Sequence, residues 1–206
     1  MSFFVSSVGM GRGGNLGGLA GADAHCQALA AAAGRGAATW RAYLSTQGPG
    51  AVHARDRIGT GPWYNARGQV IARSVAELHG DTLEQARIGN FIGIEHGLDE
   101  RGQTVPYLIP DTEHDILTGS QLDGRAYPDT DVDRTCSNWT SDAAGTLPPG
   151  PPPDPFPAGA PSARVGHSDK GNVVPSWNSS HQTPGCSEAN LRAIGGRGRL
   201  YCFAVN

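Results

Sequence analysis

Apolar and polar positions follow regular patterns at the two ends of the chain and lose that order in between. Ser2-Phe-Phe-Val-Ser-Ser-Val8 has the composition of a strand and runs into a glycine-rich turn from Gly9 to Gly18. Residues 19–34 form the best helix candidate: Leu19, Cys26, Leu29, Ala30 and Ala33 fall near one face, and Gly34 supplies a stop. Trp40-Arg-Ala-Tyr-Leu-Ser45 then alternates as a strand does. Ser74-Val-Ala-Glu-Leu-His79 suits a short helix ending at Gly80, and Arg199-Leu-Tyr-Cys-Phe-Ala-Val205 reads as a terminal strand. After Gly80 the pattern fades into short elements separated by Gly, Pro, Asn and Asp.

The composition fits that picture. A 38% hydrophobic fraction with 30 glycines and 15 prolines predicts much irregular structure around a modest core. At 206 residues the chain is long enough for one domain and does not demand two. A net charge of −3 gives no reason to expect nucleic acid or an anionic membrane as partner. No apolar run approaches the ~20 residues that span a bilayer.

Cys26, Cys136, Cys186 and Cys202 are spread too widely for the tight pairs of a structural zinc site and read as a disulfide framework. Four cysteines admit three pairings, and sequence alone does not choose among them. Disulfides imply an oxidising compartment: secreted, periplasmic or cell-surface. Phe3-Phe-Val5 is too short for the apolar region of a secretion signal, so paired cysteines imply a leader already removed.

The run Gly17-Gly-Leu-Ala-Gly-Ala-Asp-Ala-His-Cys-Gln27, followed by Thr39-Trp-Arg-Ala-Tyr-Leu-Ser45, resembles the start of the endostatin domain of collagens. Cys136-Ser-Asn-Trp-Thr-Ser141 and Gly195-Gly-Arg-Gly-Arg-Leu-Tyr-Cys202 look like later landmarks of that domain. Trp177-Asn178 followed by Cys186 and Cys202 is similar to the closing segment of C-type lectin-like domains. The resemblance covers both ends well and residues 50–120 poorly. It implies a bacterial, secreted, lectin-like protein: α+β, C-type lectin-like or endostatin-like, with short helices, small antiparallel sheets and long loops. A nested pairing, Cys26 with Cys202 and Cys136 with Cys186, goes with a fold in which the first and last strands are neighbours. Residues 147–161 hold eight of the fifteen prolines and cannot donate the hydrogen bonds of a strand or helix. They are expected to form a loop inserted into a single domain spanning 1–206.

Implied function is ligand binding without catalysis, the ligand being a glycan or an extracellular protein. The expected ligand-binding residues are Trp177, Asn178, His181, His167 and Asp169. An indole face stacks on sugar rings while amides bind hydroxyls, although large aromatics belong to cores more often than to platforms. Asp129, Asp131 and Asp133 are spaced two apart, and their mutual repulsion makes them the candidate calcium ligands. A second acidic group, Asp111-Thr-Glu-His-Asp115, is a weaker metal candidate. C-type lectins that bind sugar through calcium use an acidic-amide-proline triplet and a Trp-Asn-Asp triplet. Here Trp177-Asn178 is followed by Ser179 and no Glu-Pro-Asn or Gln-Pro-Asp occurs, so one anionic calcium ligand is missing.

Two other motifs carry less. Gly9-Met-Gly-Arg-Gly-Gly14 matches a dinucleotide-binding turn in pattern, but Ser45-Thr-Gln47 stands where the acidic residue belongs and no strand-helix-strand repeats follow. Gly166-His-Ser-Asp-Lys-Gly171 has its second glycine one position late for a nucleophile elbow. Of the seven histidines, none shows the i, i+4 pairing of zinc hydrolases, and His167 with His181 lacks a clear third ligand. A secreted metal-using hydrolase and a structural matrix or filament component are the alternative functions.

Overall fold

The computed structural model describes residues 1–145, 157, 159–169 and 176–205. Most of the proline-rich loop expected at 147–161 lies outside the described residues, as do Lys170 and Gly171.

The chain is α+β, built on a mixed six-stranded sheet beside a two-stranded hairpin. Strand β1 (Phe3–Val5) precedes helix α1 (Gly18–Ala32) and strand β2 (Thr39–Ala42). The hairpin pairs β3 (Trp63–Tyr64) with β4 (Val70–Ala72), and helices α2 (Val75–His79) and α3 (Leu83–Ile88) follow it. Three short strands, β5 (Asp115–Leu117), β6 (Arg164–His167) and β7 (His181–Gln182), complete one side of the sheet. Helix Glu188–Arg192 leads into the long strand β8 (Gly196–Val205).

β8 organises the sheet. Its C-terminal half pairs antiparallel with β1 and with β2, and its N-terminal half pairs parallel with β5. Alternation then sorts its side chains onto two faces. Leu200, Cys202 and Ala204 join Phe4, Trp40, Leu117 and Trp139 in one core, which α1 covers through Ala22, Cys26 and Ala30. Tyr201 and Phe203 join Phe3, Val5, Tyr43, Trp63, Ile71 and Trp177 in the other. Both cores are fed by side chains of the same strands, so β1 and β8 read as nearly continuous apolar runs.

The disulfides are nested. Cys26 of α1 is bonded to Cys202 of β8, and Cys136 to Cys186. Cross-links closing loops of 176 and 50 residues restrict the unfolded chain by on the order of 5 and 4 kcal/mol in the chain-entropy account.

Cys136 opens a turn of unusual hand. Cys136, Ser137, Asn138 and Trp139 all have positive φ, from 48° to 68°. The left-handed conformation costs an L-residue roughly 1–2 kcal/mol, so the surroundings must fix the turn. They do so on every side. Asp133 accepts from the Ser137 N–H, Thr135 Oγ1 accepts from Asn138 N–H, and Asn138 exchanges hydrogen bonds with the backbone of Gln47. The fully buried Trp139 donates Nε1–H to Ser45 O at 2.8 Å.

Candidate functional site

β5, β6 and β7 are too short to form much core, and their importance lies in register. β5–β6 pairing sets Asp115 opposite His167 and Leu117 opposite Val165; β6–β7 pairing sets Val165 opposite His181. Cross-strand partners and residues two apart share a face, so three adjacent strands present Asp115, His167 and His181 on one side. His167 Nε2 lies 3.0 Å from Asp115 Oδ1 and 3.0 Å from His181 Nε2. His181 Nε2 is 3.5 Å from the same carboxylate oxygen.

Asp115 is 1% exposed, yet neither of its oxygens has a hydrogen-bond donor in line. Its backbone N–H is used by Gly195 O. The histidines therefore approach the carboxylate closely without the geometry of a hydrogen bond. Burial works to raise the Asp115 carboxyl, but attraction to His167 and His181 outweighs it and holds the group below the usual carboxylate range. For His181 burial acts to lower the imidazole, and the Asp115 carboxylate overcomes it and raises it.

A second pair adjoins the first. The His114 ring stacks on His167 with centroids 4.5 Å apart, and its Nδ1 is 2.8 Å from Asp169 Oδ2. His114 Nε2 lies 3.5 Å from Asp115 Oδ1, while the other Asp169 oxygen is 3.8 Å from His167 Nδ1. Burial lowers His114, but Asp169 and Asp115 together raise it; Asp169 is held low by His114 against its own burial. Gly195, at φ 94°, brings its backbone against this ring: a Cβ there would stand 3.2 Å from His114 Nε2. Among the described residues, two groupings place three donor atoms near enough to share a cation: Asp115, His167 and His181, and His114, His167 and Asp169.

The structure divides the expected ligand-binding residues into two sets. His167, His181 and Asp169 converge at this end of the sheet. Trp177 and Asn178 do not join them. Trp177 is 4% exposed and packs between Tyr43 and Tyr201, so its faces offer no sugar platform. Asn178 is fully buried, with its amide donating to Tyr43 Oη and to the carbonyls of Gln121 and Leu122.

Asp129, Asp131 and Asp133 likewise fail to gather around one point. Asp129 pairs with Arg134 at 2.6 Å, Asp133 caps the left-handed turn, and Asp131 is exposed. In the second acidic group, Glu113 is taken by Arg199 and Arg197, which leaves His114 and Asp115 to the site. The glycine-rich turn is filled by the chain itself: Gly14 N–H donates to Cys186 O and Gly13 N–H to Glu188 Oε2. A carboxylate thus stands where a phosphate would need to bind.

Asp115 is the member that sequence reasoning did not connect to the histidines. No spacing rule joins it to His167 and His181; only the β5–β6 register does. The chain matches no protein-family model and no curated protein. Among the described residues no helix is long and apolar enough to cross a membrane, and the two disulfides agree with an oxidising compartment.

Proposed function

We propose that this protein is an extracellular or periplasmic binding module of C-type lectin-like, endostatin-like architecture. It takes a glycan or an extracellular protein at the histidine–aspartate end of its sheet, without catalysis of its own. The lectin-like reading is supported by neighbouring first and last strands, nested disulfides and a mixed sheet carrying cores on both faces. The observation that carries the choice of binding face is Asp115: a buried carboxylate with no in-line donor beside two imidazoles has bonding capacity that the folded chain leaves unmet.

An array of glycans and extracellular proteins tests this, probed with the wild type and with His181→Ala. Loss of wild-type hits in the variant supports the reading. Equal binding by both would place the ligand face elsewhere, and a blank array would remove the binding-module function.

A second reading, a secreted metal-using hydrolase, draws on one observation: the His114–Asp169 pair beside Asp115 has the arrangement of an oriented general base. Cleavage of an arrayed ligand, seen by mass spectrometry, separates it from simple binding.

A further inference from the structure

We infer that Asp115, His167 and His181 form a binding site for one first-row divalent transition-metal ion, with zinc the ion best matched. The inference rests on the reading of this end of the sheet as the binding face, and it names what is bound there first.

The spacing of the donors is the primary argument. An ion about 2.0–2.2 Å from each nitrogen and oxygen separates its ligands by about 3.0 Å at right angles and about 3.4 Å at the tetrahedral angle. The three donor-to-donor edges here are 3.0, 3.0 and 3.5 Å. Hydrogen bonding accounts for the His167–His181 edge but not for the two edges to Asp115 Oδ1. Two Nε2 atoms 3.0 Å apart cannot both carry a proton, so at least one imidazole presents a bare lone pair to the other.

The far side of His181 shows which of its nitrogens faces the site. Its Nδ1 lies 3.2 Å from Gln182 O, and a carbonyl can only accept, so Nδ1 carries a proton and Nε2 is the nitrogen turned to the site. This is how metal-ligating histidines are usually oriented, with the remote N–H given to a carbonyl or carboxylate. His167 has the second kind of support. Its Nδ1 is buried without a partner, with Asp169 Oδ1 3.8 Å away as the nearby carboxylate. Asp169 also fixes His114, which stacks on His167. We assign Asp169 as a positioning residue that holds this pair of rings.

Asp115 supplies the independent sign that a cation belongs here. A buried carboxylate is costly without hydrogen bonds, and both of its oxygens lack in-line donors although imidazole nitrogens stand 3.0–3.5 Å from Oδ1. A divalent ion would satisfy it directly. Two imidazoles and one carboxylate suit zinc and its first-row neighbours; calcium and magnesium prefer oxygen-only surroundings. Three protein donors leave at least one coordination position for water or for a donor atom of a further ligand.

Zinc titration of the full-length, disulfide-bonded protein after chelator treatment tests the site. One ion should bind per chain, and zinc should raise the melting temperature by binding only the folded state. Cobalt(II) substituted for zinc should give the visible absorption of a nitrogen- and oxygen-ligated ion. Because an Asp115→Asn protein can fail to fold, His181→Ala carries the comparison, its side chain being 25% exposed. This variant should keep the wild-type circular dichroism and lose at least about 100-fold in zinc affinity, more than Asp169→Asn, which should lose about 10–100-fold as orienting partners do. Asp131→Asn should bind zinc as the wild type does. Failure of the stripped wild type to take up zinc, or wild-type affinity in folded His181→Ala, overturns the proposal. Zinc binding with a blank ligand array keeps the metal site and removes the binding-module reading. Array binding that survives chelation in a protein that takes up no zinc does the reverse.

Discussion

Asn178 donates its side-chain amide to the phenolic oxygen of Tyr43 at 2.9 Å, and Tyr43 in turn donates to Nε2 of His79 at 2.8 Å. His79 Nδ1–H closes the relay on Val75 O. A residue whose type suggested sugar binding thus ties the loop before β7 to the body of the domain. Asn178→Asp should cost at least about 3 kcal/mol, because it replaces a buried donor with a carboxylate facing two carbonyls. Denaturant unfolding at pH 7 checks this, and a loss below about 1 kcal/mol would show that the relay is dispensable.

The same relay sets a dependence on pH. Burial is the main cause that lowers the His79 pKa from 6.5 to about 4. The unfolded chain therefore takes up a proton in a range where the folded chain refuses it. Stability should be complete above about pH 6.5 and decline as the pH falls towards 4, by up to roughly 3 kcal/mol from this one group. His79→Gln should flatten that part of the profile even if it is less stable at pH 7. An unchanged slope between pH 6.5 and 4 would assign the acid sensitivity to other groups.

Ser137 should be improvable. Its φ is 53°, it is exposed, and it lies within four successive left-handed residues. Glycine adopts that conformation without the steric penalty of a Cβ, so Ser137→Gly should raise stability by about 1 kcal/mol despite the greater freedom of glycine when unfolded. Thermal melting decides it; a lower melting temperature would mean that the turn is not strained at this position.

The cross-link beneath that turn should matter more than any of its hydrogen bonds. Replacing Cys136 and Cys186 together by serine should cost about 4 kcal/mol and release the turn from the helix Glu188–Arg192. Chemical denaturation of the double variant measures it. Peptide mapping without reductant should recover Cys26 joined to Cys202, and a Cys26–Cys136 peptide would contradict the fold.

What could be read from the sequence was what repeats within one element. Strand composition revealed β1 and β8, alternation revealed β2, and α1 was visible because Leu19, Cys26 and Ala30 return to one face. Helix α3 was missed because it buries no residue: Leu83 is 87% and Ile88 55% exposed, leaving no stripe to detect. Its signal was local, the capping box Thr82 to Gln85. The candidate site was half legible. His167 and His181 could be paired as nearby loop-side histidines, whereas Asp115 appeared in a separate acidic group. A three-residue strand carries no pattern that announces its register, so this third donor needed three dimensions. Trp177 and Asn178 failed in the opposite way. Polar neighbours made them look like loop surface, and packing on Tyr43 and Tyr201 put them inside.

The position of β8 in the chain also bears on how the protein is made. Every strand that β8 joins precedes it in the sequence, so a ribosome delivers β1, β2 and β5 long before their common partner. Until then the edges that β8 will cover are open and Cys26 is a thiol whose partner has not been synthesised, with Cys136 emerging first as a wrong one. Joining β1, β2 and β5 into one sheet must therefore wait for the last strand, during which a holding chaperone and a disulfide isomerase would have work to do.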